Sequence, residues 1–130
     1  MNNNTYITDL YQSEIIELIW QKAIEVEGYD KTLYRKDFSG AWISRNAFNN
    51  RDSVFGWEID HIYPKSKGGD NHWVNLLPIN WRNNLAKGNE YPNYVSAVVA
   101  EDNRNIEKEV NCTVGIKLQE ELSKIYITEL

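Results

Sequence analysis

The chain has one cysteine, Cys112, so no internal disulfide can staple it. No apolar run approaches the ~20 residues that span a bilayer. Its apolar residues come instead in short clusters broken by charges, such as Ile15-Ile16 and Val98-Val99. The N-terminus shows no basic segment followed by an apolar run of signal-peptide type. These absences exclude a disulfide-bonded secreted scaffold and a membrane span, and the expectation is a soluble, cytoplasmic protein. Internal repeats are missing, and the Asn2-Asn3-Asn4 tract is too short to build on. Histidine is scarce: His61 and His72 are the only two, so any imidazole chemistry has a narrow choice. What remains is 130 residues with five tryptophans, enough for one buried core, and residues 1–130 are expected to form a single domain.

The net charge of −5 argues at first against a nucleic-acid ligand, because a phosphate backbone rewards Lys and Arg. The average hides the distribution. Residues 31–88 hold nine bases against five acids, a local +4, whereas one base faces six acids before that segment and four face eight after it. A basic middle between acidic flanks suits a substrate-facing centre held between structural elements.

Asp9-Leu10-Tyr11-Gln12 has the form of a capping box, and Ile15, Ile16, Ile19, Trp20, Ala23 and Val26 follow at helical spacing. The pattern predicts a helix over 10–27, stopped by Gly28. Residues 33–43, with a turn at Ser39-Gly40, read as two short strands. A polar loop over 46–53 precedes the best strand of the chain, Phe55 to Ile62, ended by Pro64. After a Gly68-Gly69 loop, Leu76 to Ile79 reads as a second strand, and Asn80 to Lys87 as a helix closed by Gly88. Pro92 is expected to open another helix near 93, and Ile116, Leu118, Leu122, Ile125 and Tyr126 mark a last amphipathic helix.

The densest chemistry lies between Gly56 and Lys87. Gly56-Trp57-Glu58-Ile59-Asp60-His61-Ile62-Tyr63-Pro64 leads through Gly68-Gly69 and Asn75-Leu76-Leu77 to Asn80-Trp81-Arg82-Asn83-Asn84-Leu85-Ala86-Lys87. Hydrolysis of a phosphodiester needs an activated water, an ion that absorbs charge, and a scaffold that aligns them. His61 suits the first task as a general base. Asp60 offers a hard anionic oxygen and Asn84 a neutral one, a sparse oxygen site of the kind Mg²⁺ or Mn²⁺ prefers. Asn75 is placed to bond to loop backbone and fix its conformation. Lys87, one helical turn past Asn84, is a candidate phosphate contact, with Arg82, Lys65 and Lys67 as weaker ones; a solvated surface accounts equally well for Lys65 and Lys67. Glu58 shares the strand face of Asp60, as an outer group or a second carboxylate. Strict alternation puts Asp60 and His61 on opposite faces, so a shared site has to form at the strand's end.

This order of residues resembles the HNH endonucleases, closely over 56–89 and more loosely over 31–91. Their signature runs from an Asp-His or His-His pair at a strand end, through a central Asn, to an Asn or His on a helix. The resemblance implies an α+β fold with a ββα-metal core, a small antiparallel sheet, a catalytic core over about 31–91, and helical flanks over 10–27 and 92–130. It implies catalytic roles for His61, Asp60, Asn75 and Asn84: Asp60 and Asn84 as ligands of one divalent ion, Mg²⁺ before Mn²⁺, His61 as base, and Asn75 as the residue fixing the loop. The implied substrate is DNA, with RNA as an alternative, and a partner protein, dimer or targeting module is expected because no reading element accompanies the motif. Many members carry two C-x-x-C pairs around a structural zinc. Here Asn80 and Asn83 stand where the second pair lies, so no such zinc is expected and packing has to stabilise the unit instead. The competing readings are a nucleic-acid-binding module with an inactive centre and an interaction domain of a larger assembly.

Overall fold

The computed structural model describes residue 2 and residues 5–126. The fold is α+β, with α1 at Ser13–Trp20, β1 at Tyr34–Lys36, β2 at Trp42–Ser44, β3 at Trp57–His61 and β4 at Leu76–Asn80. It continues with α2 at Trp81–Lys87, β5 at Asn93–Glu101, β6 at Arg104–Thr113 and α3 at Ile116–Ser123. Strands pair antiparallel as β1 with β2, β3 with β4, and β5 with β6. Among the described residues no helix is long and apolar enough to cross a membrane.

The centre is the β3–β4 hairpin followed directly by α2. Its register sets Trp57 opposite Asn80, Asp60 opposite Leu77 and His61 opposite Leu76, so the Asp-His pair stands at the end of the ladder where the 62–75 loop departs. Two apolar clusters flank this unit. Ile7, Ile15, Ile19, Trp20, Ala23, Ile43, Trp57 and Leu76 pack under α1, whereas Ile62, Tyr63, Tyr94, Val114 and Leu122 pack under α3. The rigid hairpin is thereby clamped from both sides.

The helix expected over 10–27 is shorter at both ends. Asp9 does not cap it; its carboxylate accepts the Tyr11 N–H at 2.9 Å in a local turn, and the helix starts at Ser13. It stops after Trp20 because the Arg35 guanidinium takes the carbonyls of Gln21 and Ala23, at 3.1 and 3.2 Å, and Ile24 then bridges to Lys36. A long-range contact thus overrides a periodic pattern.

The helical flank over 92–130 is corrected more deeply: residues 93–113 form a β-hairpin, and only Ile116–Ser123 is helical. Tyr94, Ser96 and Val98 are buried in alternation, the period of a strand. Glu101 faces Arg104 across the two-residue turn Asp102-Asn103, with Asp102 at φ +52°, the left-handed conformation hairpin turns demand. Val98, Val99 and Ile106, whose spacing also suits a helix, sit on two paired strands.

Around Asn80 and Asn83, stability comes from a buried polar network as well as from apolar packing. Asp37 is fully enclosed and accepts four hydrogen bonds, from the N–H groups of Ser39, Ala41 and Asn80 and from Asn83 Nδ2. Asn80 donates to the carbonyls of Trp42 and Val54, and Asn83 Oδ1 accepts the N–H groups of Ala97 and Val98 at 2.8 and 2.9 Å. The β1–β2 ribbon, the start of α2 and the bulge in β5 are therefore tied at one point by three side chains.

Candidate functional site

The 62–75 loop is fixed from within. Asn75 is fully buried; its Oδ1 accepts the Tyr63 N–H at 2.7 Å, and its Nδ2 donates to the carbonyls of Tyr63 and Asp70 at 3.0 and 3.1 Å. Gly69 permits the tight return, since a Cβ there would lie 1.8 Å from the Tyr63 carbonyl oxygen. The loop end that carries His61 is thus held against the loop's far side.

His61 is half-buried, and its Nε2 lies 2.7 Å from Asn71 Oδ1. Asn71 in turn donates from Nδ2 to the Ile7 carbonyl at 3.1 Å, which orients the amide with its oxygen toward the ring. An oxygen acceptor at Nε2 makes that nitrogen the protonated one and leaves Nδ1 with the basic lone pair. Asn71 was not among the residues singled out from sequence, because nothing in Asp70-Asn71-His72 separates it from a loop asparagine. His72 is different: it is buried, and its Nδ1 accepts the Val74 N–H at 3.1 Å, so its lone pair is already used.

Asp60 is buried beneath the strand, with the Lys87 ammonium 3.3 Å from Oδ2. That contact is an ion pair by distance, yet Oδ2 accepts no well-aligned hydrogen bond and is the one enclosed side-chain polar atom of the described residues left in that state. Burial pushes the Asp60 carboxyl above its ordinary value, against the opposing pull of Lys87 and His61. Lys87, expected as a phosphate contact, is almost wholly enclosed, with Nζ also 3.3 Å from the Ile62 carbonyl. In this conformation it faces Asp60 from inside rather than a phosphate from outside.

Asn84 donates from Nδ2 to Glu58 Oε1 at 2.9 Å, which leaves its Oδ1 as the unused end. Glu58 also receives Arg51 at 2.6 and 3.0 Å. Burial raises the Glu58 carboxyl, but the Arg51 and Asn84 hydrogen bonds and the Arg51 charge outweigh it, and the group stays below its ordinary value.

Asp60, His61 and Asn84 line one hollow of about 220 Å³, together with Ile59, Pro64, Lys65, Gly88 and Asn89. The strand end therefore brings together two neighbours that alternation would separate. A buried carboxylate short of hydrogen-bond donors and a carboxamide oxygen with no donor among the described residues fit a hard cation bound by few protein oxygens. No cluster of three or more His, Cys, Asp or Glu occurs among the described residues, so water and substrate oxygens would have to complete any such ion's coordination. Lys65 lines the hollow, whereas neither Lys67 nor Arg82 is among its lining residues, and Arg82 pairs with Glu107 at 3.0 Å. Asn75 acts one layer behind, through the loop.

Residues 37–93 match the family model described as HNH endonuclease, a span that contains the hairpin, the loop and α2. Comparison with curated proteins and with solved structures returns no significant match. The matched span includes Asp60, His61, Asn75 and Asn84 in the arrangement just described. Residues 37–93, a little under half of the chain, are thus similar to the HNH endonuclease family.

Proposed function

We propose that this chain is an endonuclease that hydrolyses DNA phosphodiester bonds with one divalent ion, Mg²⁺ or Mn²⁺, held by Asp60 and Asn84. The observation that carries the reading is the convergence of Asp60, His61 and Asn84 on one hollow, with the His61 ring fixed by Asn71. His61, protonated on Nε2, takes a proton from the attacking water at Nδ1. Asn71 holds the ring and stabilises the charge that this transfer creates. Lys87 favours the ionised form of Asp60 against its burial, and Glu58 turns the Asn84 amide so that its oxygen faces away from that contact. The bound ion would supply charge neutralisation at the phosphoryl and leaving oxygens. Asn75 keeps the loop from relaxing away from this geometry.

Affinity for DNA is low on this reading. Arg35, Arg45 and Arg82 of the basic middle pair with Glu25, Glu17 and Glu107 from the acidic flanks, and Arg51 pairs with Glu58. The local +4 is mostly spent in ion pairs, and Lys36, Lys65 and Lys67 are left without one among the described residues, Lys36 with its ammonium over the Trp42 ring. A partner chain, a second copy or a fused targeting module then delivers the domain, residues 1–130 acting as one unit in the cytoplasm. Incubation of supercoiled plasmid with the protein tests the activity: nicked circles are expected with Mg²⁺ or Mn²⁺ and none in excess EDTA. Equal cleavage in EDTA, or no cleavage with any divalent ion, overturns the proposal, and an RNA substrate cut in place of DNA would reassign the substrate.

A further inference from the structure

A second and larger cleft, of about 500 Å³, is also lined by His61 but not by Asp60. It shares Ile59, His61, Lys65 and Asn84 with the smaller hollow, so the two adjoin as lobes of one depression. Its volume lies in the range of about 300–1,000 Å³ that small-molecule sites occupy. Part of its wall is Thr8 to Tyr11, which lies outside the span that matches the family.

The charges in this lobe largely cancel. Arg51 is bound by Glu58 in two hydrogen bonds, and the remaining Lys65 has Asp9 on the same cleft. What is left is flat and amide-bearing. Tyr11 is 69 % exposed, its backbone N–H is anchored on Asp9, and its ring stands 6.2 Å from Phe48, which is itself packed on Trp57. Asn49, exposed at φ +55°, has its backbone N–H fixed on the Trp57 carbonyl, while its carboxamide has no partner among the described residues. An exposed ring on an anchored backbone, with a free carboxamide lining the same cleft, is the chemistry that recognises a nucleobase, through its π face and its edge. It is not chemistry for a phosphate.

The geometry points to a nucleobase subsite formed by Tyr11, Phe48 and Asn49, which takes an unstacked base next to the phosphate held at His61. This rests on the reading of His61 as the hydrolytic centre and adds to it a source of sequence or structure preference in a segment outside the matched span. Tyr11 stacks on the base, Phe48 backs Tyr11, and Asn49 reads the edge.

The test uses the full chain carrying His61→Ala, and the fluorescence anisotropy of a short labelled DNA single strand against the same backbone with abasic sites. The intact strand is expected to bind about tenfold more tightly than the abasic one. Tyr11→Ala should lower affinity for the intact strand roughly five- to tenfold and leave the abasic strand unchanged. Asn49→Gly, which keeps the left-handed backbone and removes the carboxamide, should cost a smaller factor, on the intact strand only. Equal binding of the two strands, including none, or a Tyr11→Ala loss shared equally by both, overturns the subsite. Cleavage by the unmutated chain separates this failure from failure of the nuclease reading. Base-dependent binding without any cleavage leaves the subsite and sinks the nuclease; cleavage with a KM and base dependence indifferent to Tyr11→Ala does the reverse.

Discussion

Replacing Lys87 by Met keeps the volume and removes the charge that faces Asp60. The Lys87 side chain is 0 % exposed and that of Asp60 8 %, so water does little screening of the pair at 3.3 Å. At an effective dielectric of about 20 the attraction at that distance is about 5 kcal/mol, much of it offset by the cost of desolvating both groups. Removing one partner of such a pair costs about 3–5 kcal/mol, because the other charge is left buried alone. Asp60 has an escape, which is to take a proton. Burial already lifts its carboxyl above the ordinary 3.8, and loss of the ammonium lifts it further. A group whose folded value stands above its unfolded value contributes its full stability below the unfolded value and loses it as pH rises through the folded one. The deficit of Lys87→Met relative to the parent should therefore be largest near pH 8 and shrink as pH falls toward 5. Urea unfolding of both proteins across that range measures it. Adding Asp60→Asn to Lys87→Met should recover part of the loss, since a neutral amide has no charge to strand. A deficit that does not change with pH, or a double variant no more stable than the single one, would show that no charge is stranded at Asp60 when Lys87 is removed.

Asp37→Ala should destabilise by about 3–5 kcal/mol in urea unfolding, because four donors lose their acceptor in a dry site, and a zinc chelator should leave the melting of the parent unchanged. Gly69→Ala should cost at least about 2 kcal/mol and lower activity, since its Cβ would overlap the Tyr63 carbonyl and reopen the loop that aims His61. Asn71→Ala should reduce kcat about tenfold with KM unchanged, through loss of ring orientation, and reduce stability by about 1 kcal/mol; steady-state kinetics and thermal melting read the two effects.

The ββα centre was legible because its signals are local. Aromatic and β-branched residues from Phe55 to Ile62, the Gly68-Gly69 pair and Gly88 after Lys87 each act within a few residues of where they stand. The flanks were less legible because distant groups decide them. Arg35 ends α1 by reaching back to Gln21 and Ala23, and nothing between 10 and 27 announces it. The β5–β6 hairpin could have been found from the Asp102-Asn103 turn and the alternation of Tyr94, Ser96 and Val98. At the site, sequence order put Asp60, His61 and Asn84 together, but the inward turn of Lys87 and the hold of Asn71 on His61 depend on packing that one strand and one helix cannot reveal.

The central claim is that His61 activates water in a metal-assisted cleavage, and His72 is the internal control because its lone pair is taken by Val74 and its ring is buried. The decisive measurement is the rate of plasmid nicking at saturating Mg²⁺ for the parent, His61→Ala and His72→Ala, with melting curves to confirm that each is folded. His61→Ala should lower the rate by about 10² to 10⁴ with unchanged melting, and folded His72→Ala should cut at a rate close to the parent despite its lower stability. Cleavage by His61→Ala at the parent rate, or loss of cleavage confined to folded His72→Ala, would contradict it.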